Sequence, residues 1–182
     1  GIADAQMTDT GLGGDVDKDL PNIFTYTSVF GKNGKDIIRS VSFPTLDDAT
    51  PCYSTLGSFA FADCSKLTTI VFSQNTAVIN PFAFYNCTSL NAIECPKSLT
   101  TIQAGAFYNN INLRTVVFNS KLRTIGDAAF MLGKNLNTTD LDESIYSDKL
   151  AILLFPLALI KIGKLAFANR SKLQSISWDE FD

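Results

Sequence analysis

The sequence predicts an α/β solenoid, and three observations carry that expectation. An Ala-Phe pair returns at Ala60-Phe61, Ala83-Phe84, Ala106-Phe107, Ala129-Phe130 and Ala166-Phe167, the first four 23 residues apart and the last 37 after its predecessor. Leu56, Ile79, Ile102, Ile125 and Ile162 stand five residues before each Phe, while Leu67, Leu90, Leu113, Leu136 and Leu173 stand six after it. Extended segments follow, such as Leu67-Thr-Thr-Ile70-Val-Phe72 and Leu113-Arg-Thr-Val116-Val-Phe118. A unit this short cannot bury its apolar face alone, so neighbouring units stack around one continuous core.

Each coil is expected to hold one strand, one turn and one brief helical or 3₁₀ segment. In the strand, Ile70 and Phe72 alternate with the period of two that points both inward, as do Ile93 and Cys95, Val116 and Phe118, and Ile176 and Trp178. The helical segment is read from Ile79, Ala83 and Cys87, which are four residues apart and would share one face of a helical turn. Stacked strands then form a parallel ladder on a concave face, with the wider helical segments on the convex face. The fourth coil is 14 residues longer than the others, 37 against 23. Its extra segment at about 143–157 has a polar turn, Ser147-Asp148-Lys149, between apolar stretches, which suggests an inserted β-hairpin.

Upstream, Ile38-x-x-Val41-x-Phe43 echoes Leu67-x-x-Ile70-x-Phe72 without an Ala-Phe pair before it. The organisation read from this is a flexible acidic leader at 1–22, an N-terminal cap with a degenerate first repeat at 23–52, and five repeats at 53–182. The leader carries Asp15-x-Asp17-x-Asp19, which resembles the start of a calcium loop. Leu20 stands where such a loop needs Gly and Tyr26 where it needs Glu, so no metal site is assigned there.

Composition bounds the function. With 15 basic and 18 acidic residues and no long Lys/Arg run, nucleic acid is not an expected partner. The longest apolar stretch, Leu150 to Ile160, contains Pro156 and falls short of the ~20 residues of a membrane helix, so no membrane insertion is expected of this region. The chain contains no histidine, which removes Ser-His-Asp and Cys-His catalysis and the usual general base near neutral pH. Paired carboxylates could still hydrolyse glycosides, but an open repeat face does little to raise a carboxylate's pKa, so no enzyme activity is expected.

The pattern Ile-x-x-x-Ala-Phe-x-x-Cys/Asn-x-x-Leu-x-x-Ile-x-Phe, matched at six or more positions in every copy between about residues 53 and 182, resembles the 23-residue leucine-rich repeat of the BspA type. The resemblance implies a right-handed leucine-rich repeat superhelix with a concave strand ladder and short helical or 3₁₀ segments outside. It also implies a non-catalytic protein, at the bacterial cell surface or secreted with its signal peptide removed. Such a protein would adhere as a monomer, without a cofactor, to a host or matrix protein or to another cell-surface protein. A carbohydrate-binding module, with Tyr53, Tyr85, Tyr108 and Tyr146 to check for exposure, and a passive spacer of a larger repeat protein are the alternatives.

The outward strand positions are the candidate contact surface: Val71, Glu94, Val117, Asp140 and Ser177, then one pleat further Ser73, Pro96, Asn119, Asp142 and Asp179. Val71, Glu94, Val117, Asp140, Asp142 and Asp179 are taken as the ligand-binding set. Read this way, the ladder runs from small and apolar to acidic, which fits either a dock for a partly basic ligand or a solvated face that discourages edge association. Cys64 and Cys87 occupy equivalent places one coil apart, within disulfide reach if the coils stack as expected. Asn110, Gly133 and Arg170 hold the same place elsewhere without a partner, which favours buried free thiols. Cys95 replaces a Phe at an inward position, and Cys52 has no assigned repeat role. The sequons at Asn86, Asn137 and Asn169 fall where the repeat itself favours Asn.

Overall fold

The computed structural model describes residues 35–43, 54–133 and 148–179. The leader, most of the cap, Cys52 and the first limb of the expected hairpin lie outside the described residues. The described residues form a parallel β-solenoid in which every coil contributes to three rows.

The first row is a continuous five-stranded parallel sheet of two-residue strands: β2 (Thr55–Leu56), β4 (Val78–Ile79), β6 (Thr101–Ile102), β8 (Thr124–Ile125) and β10 (Lys161–Ile162). The register matches equivalent residues, so Leu56, Ile79, Ile102, Ile125 and Ile162 lie in line. β-branched residues suit this pleated surface, with the second residue of each strand turned to the core.

The second row is the Ala-Phe segment, and it corrects the expectation of a helix: no helix occurs among the described residues. Alternate amides leave the segment for the next coil. Phe59, Phe61 and Asp63 donate to the carbonyls of Pro81, Ala83 and Tyr85 at 3.1, 2.7 and 2.8 Å. The same three steps recur from Phe82, Phe84 and Asn86, from Gly105, Phe107 and Asn109, and from Ala128, Phe130 and Leu132. The intervening amides, such as Ala60 and Ala62, close turns onto the carbonyl three residues earlier. In a helix every N–H would be used within the segment, so this division of donors excludes one.

The backbone makes the division possible by entering the left-handed region two residues before the Phe, at Phe59, Phe82, Gly105, Ala128 and Leu165, and again two after it, at Asp63, Asn86, Asn109 and Asn169. Asn and Asp tolerate that conformation best among non-glycine residues. They also link the coils there: Asn86 Nδ2 donates to Asp63 Oδ1 and Asn109 Nδ2 to Asn86 Oδ1, each at 2.8 Å. At Gly105 a Cβ would lie 2.1 Å from the Phe82 ring, which covers the space a side chain would take.

The third row comprises β1 (Ser40–Ser42), β3 (Thr69–Val71), β5 (Ala92–Glu94), β7 (Thr115–Val117), β9 (Ile152–Phe155) and β11 (Ser175–Trp178). These strands are parallel and bond two by two, β1 with β3, β5 with β7 and β9 with β11. Val41 stands opposite Ile70, so the echo before the first Ala-Phe pair joins the ladder in register. In the fourth coil the ladder strand is Ile152–Phe155, with Leu153 opposite Ile176. The second limb of the expected hairpin is therefore a ladder strand paired in parallel.

Between the rows lies the core. Phe61, Phe84, Phe107, Phe130 and Phe167 form one column of rings with centroids 5.1–5.2 Å apart and planes within 11° of parallel. Phe43, Phe72 and Phe118 meet this column edge-on, at 81–89° to Phe61, Phe84 and Phe130. The neighbouring Ala residues are buried, and coils only about 5 Å apart leave room at that place for a methyl group and little more.

In three coils the side chain three residues after the Phe has a defined job. Cys87 Sγ donates to the Phe61 carbonyl at 3.1 Å, Asn110 Nδ2 to Phe84 O at 2.9 Å and Arg170 Nε to Phe130 O at 2.7 Å. Each caps the carbonyl of the preceding coil's Phe. Cys64, Cys87 and Cys95 are free and buried. Burial, with Asp63 beside it, pushes the Cys64 thiol up to about 12. Burial also raises Cys95 to about 12 and Cys87 well above the usual thiol range.

Arg170 reaches further than its equivalents, and Asp148 is the partner that the repeat pattern did not reveal. Asp148 Oδ1 accepts from Arg170 Nη1 at 3.2 Å, and its carboxylate also accepts the N–H groups of Leu150 and Lys172. Both side chains are sealed from solvent, and the Arg170 guanidinium also donates to Asn110 O two coils back. This bridge pins the point where the long fourth coil rejoins the ladder.

Three outcomes follow. Phe107→Ala, at the centre of the column, should lower unfolding free energy by about 3–5 kcal/mol in urea denaturation. Asp148→Ala should cost about 3–5 kcal/mol, because it leaves a buried guanidinium unpaired, whereas Asp148→Leu/Arg170→Met should recover most of that loss. In a Cys52→Ser background, the three remaining thiols should resist a disulfide reagent at pH 8 and react fully in denaturant. They are buried, and their raised pKa keeps them as thiols rather than thiolates. Rapid labelling of the native chain would contradict this packing.

Candidate functional site

The third row presents the surface on which the sequence places its ligand contacts. Its strands are three or four residues long, so β3, β5, β7 and β9 each expose two side chains and turn the alternate ones inward. In β11 all four residues are exposed, including Ile176 and Trp178, which the sequence pattern places inward. Thr69, Ala92, Thr115, Ile152 and Ser175 form the first exposed file; Val71, Glu94, Val117, Leu154 and Ser177 form the second.

Val71, Glu94 and Val117 are thus on the exposed face, in one file. The fourth place in that file is held by Leu154; Asp140 and Asp142 lie outside the described residues. Asp179 follows β11, half-buried, with its N–H donated to Phe155 O at 2.8 Å. The residues one pleat beyond the file do not make a second exposed row. Ser73 and Pro96 are buried, and Asn119 folds back to donate to the carbonyls of Pro96 and Leu99. The strands end before that pleat, and Ser73 and Asn119 use their side-chain oxygens to accept turn N–H groups from Asn75 and Lys121.

The described face is consequently aliphatic at its centre rather than graded toward acid. Val117 is 51% exposed, Ile152 65% and Leu154 48%, and the three stand on adjacent strands, β7 and β9. Glu94 is the one carboxylate in the two files. Sequence reasoning missed Ile152 and Leu154 because it assigned the fourth strand to the stretch after Leu136. Their signal was present in Leu153-x-Phe155, which repeats the alternation of Ile70-x-Phe72.

The described tyrosines lie elsewhere. Tyr85 and Tyr108 stack at 5.7 Å in a second, smaller cluster with Phe59 and Phe82, on the Ala-Phe row. Both tyrosines are half-buried there, and burial, followed by the charge of Asp63, raises Tyr85 to about 12. Tyr53 and Tyr146 lie outside the described residues. Trp178, on β11, is 48% exposed and packs against Phe155 with centroids 5.5 Å apart, at the end of the stack and outside the two files. The two files themselves hold no aromatic residue for a sugar ring to stack on. No helix among the described residues is long and apolar enough to cross a membrane.

Comparisons with known proteins agree with this architecture. The T. pallidum Leucine Rich Repeat protein superposes with a TM-score of 0.65 at 26% identity, over 83% of this chain and 61% of that one. A leucine-rich repeat protein from Bacteroides ovatus superposes with a TM-score of 0.60 at 25% identity, over 76% of this chain and 33% of that one. The chain thus spans less than two thirds of the length of either relative. No curated protein matches it. Residues 54–148, more than half of the chain, match six copies of the BspA type Leucine rich repeat region. By its repeat, its ladder and this match, the chain belongs to the BspA-type leucine-rich repeat family.

Proposed function

We propose that this protein is a non-catalytic binding module, at the cell surface or secreted, that adheres to a host or matrix protein or to another cell-surface protein through its strand face. The observation that carries the reading is the exposed aliphatic cluster of Val117, Ile152 and Leu154, flanked by Val71 and Glu94. Burying the exposed half of three such side chains is worth on the order of 3 kcal/mol, a fitting core for a protein contact with polar residues at its rim. Asp179 stands at one end of the same face. The family resemblance supports the adhesive role and the surface location, and the repeat-protein relatives support a scaffold whose use is recognition.

A protein partner is favoured over a glycan because the face is aliphatic where a sugar site would be aromatic. The chemistry of the whole chain points away from catalysis, since it holds no histidine.

In a solid-phase screen of matrix proteins, mucins and glycans, the chain should bind a protein saturably. Val117→Asp/Leu154→Asp should weaken that binding by at least ~30-fold, the scale of a hot spot. Unfolding free energy should change by less than about 1 kcal/mol, because both side chains are half in water already. Binding that survives the double substitution but is lost on changing Tyr85 and Tyr108 would move the contact to the Ala-Phe row. Silence across the panel would favour a passive spacer.

A further inference from the structure

Beside the aliphatic cluster, at the entry ends of β5, β7 and β9, Ser89, Asn91, Asn112, Arg114, Thr115 and Lys149 line a cleft of about 360 Å³. Among the described residues its lining comprises two cationic and four neutral polar residues with Ala92, and no carboxylate. Arg114 and Lys149 have no acidic group within ion-pair distance among the described residues, in contrast to Lys35 and Arg170. Lys149 is also held in place. Its Nζ donates to Asn112 Oδ1 at 2.5 Å, and Asn112 Nδ2 is fixed in turn on Thr88 O at 2.6 Å. One of its three N–H groups is thereby satisfied, and two remain. The Arg114 N–H and the Thr115 N–H both donate to Asn91 O, so the walls of the cleft are tied together through the backbone.

A fixed ammonium and an arginine lining one cleft with hydroxyl and amide residues make an anion subsite, and charge-assisted bonds from such groups are stronger than neutral ones. Its position selects the anion. Arg114 immediately precedes β7 and Val117 ends it, so their Cα atoms lie about 10 Å apart. An extended peptide spans that distance in three residues. We propose that the cleft takes a carboxylate of the bound protein, from an extended acidic segment whose aliphatic side chains lie on Val117, Ile152 and Leu154. The inference rests on the strand-face reading and names the chemistry of its partner: acidic-then-aliphatic, the opposite charge from that expected of an acidic ladder.

The test is a titration of the uniformly ¹⁵N-labelled full chain at about 20 mM salt, where surface charge is screened over a Debye length of about 20 Å. The probes are the blocked pentapeptide Glu-Glu-Ser-Val-Leu and its Gln-Gln-Ser-Val-Leu counterpart. The acidic peptide should shift the amides of Asn91, Arg114, Thr115 and Lys149 saturably and bind at least ~10-fold tighter than the neutral one. Arg114→Gln/Lys149→Gln should erase that difference, and Leu154→Asp should weaken both peptides. Equal binding of the two peptides, lost in Leu154→Asp, would overturn the carboxylate subsite and leave the strand-face reading standing. No shift with either peptide at about 5 mM would overturn both. Saturation of the same four amides by sodium sulfate at lower concentration than by the acidic peptide would overturn the acidic segment in favour of a sulfated glycan.

Discussion

Everything in this solenoid depends on one constraint: successive coils must lie about 5 Å apart along their whole circumference, since both the hydrogen-bond ladders and the ring column work only at that spacing. The Phe rings repeat at 5.1–5.2 Å, and the amides of the Ala-Phe segment reach the next coil at 2.7–3.1 Å. A side chain larger than Ala beside the Phe would hold the coils apart and break both sets of contacts. A smaller ring would leave a void in the column. The backbone meets the same constraint by adopting left-handed φ values at residues as unsuited to them as Phe59, Phe82 and Leu165. That conformation costs such residues roughly 1–2 kcal/mol each. It persists because it lets alternate N–H groups point along the solenoid axis, where each finds a carbonyl.

The longer fourth coil interrupts this regularity, and the Asp148–Arg170 bridge restores it. The ion pair is not a source of net stability, because removing two charges from water costs about as much as their attraction returns. Its value lies in position. Asp148 accepts from the backbone at Leu150 and Lys172 as well as from Arg170, so the chain can re-enter the ladder at only one register. A shift by one residue would turn Leu153 and Phe155 outward and Ile152 and Leu154 inward. The bridge thereby also decides which two aliphatic residues the strand face presents. Gly133 contributes by absence: a Cβ there would lie 2.8 Å from the Tyr108 hydroxyl.

How much of this was legible in the sequence follows from what period-based reasoning can see. The inward residues of the 23-residue coils were readable because a fixed repeat puts equivalent side chains in equivalent places. The column of Phe rings and the row from Leu56 to Ile162 bear that out. The helix was a misreading of a spacing. Ile79, Ala83 and Cys87 are four apart, as on a helix, but a chain that turns at Phe82 and again at Asn86 returns its side chains inward at the same interval. Asp148 escaped notice for a different reason. It lies in the one segment with no counterpart in other coils, and its partner stands 22 residues later at a place that elsewhere holds Cys, Asn or Gly. The fourth strand was misplaced for the same reason: reading it after Leu136 assigned Asp140 the place opposite Ser177, which Leu154 holds, while Asp140 itself lies outside the described residues.

Leu154 in the second exposed file gives the described face a different character from an acidic ladder. An acidic ladder would gather basic partners through long-range attraction, which is weak at physiological salt and selects little beyond charge. The face with Leu154 instead has an apolar centre whose burial would supply affinity in the proposed contact, with charge at defined places: Glu94 within the file, Arg114 and Lys149 at its entry. Carboxylate and ammonium on opposite sides of an apolar strip can distinguish one direction of a bound extended chain from the other. Reversing the partner would set its acid against Glu94 and its neutral side chains in the cation cleft, leaving both charges poorly matched. Because the strands run parallel in every coil, this polarity is imposed on the whole face. A solenoid built from near-identical units thus acquires direction from the few outward positions at which its repeats differ.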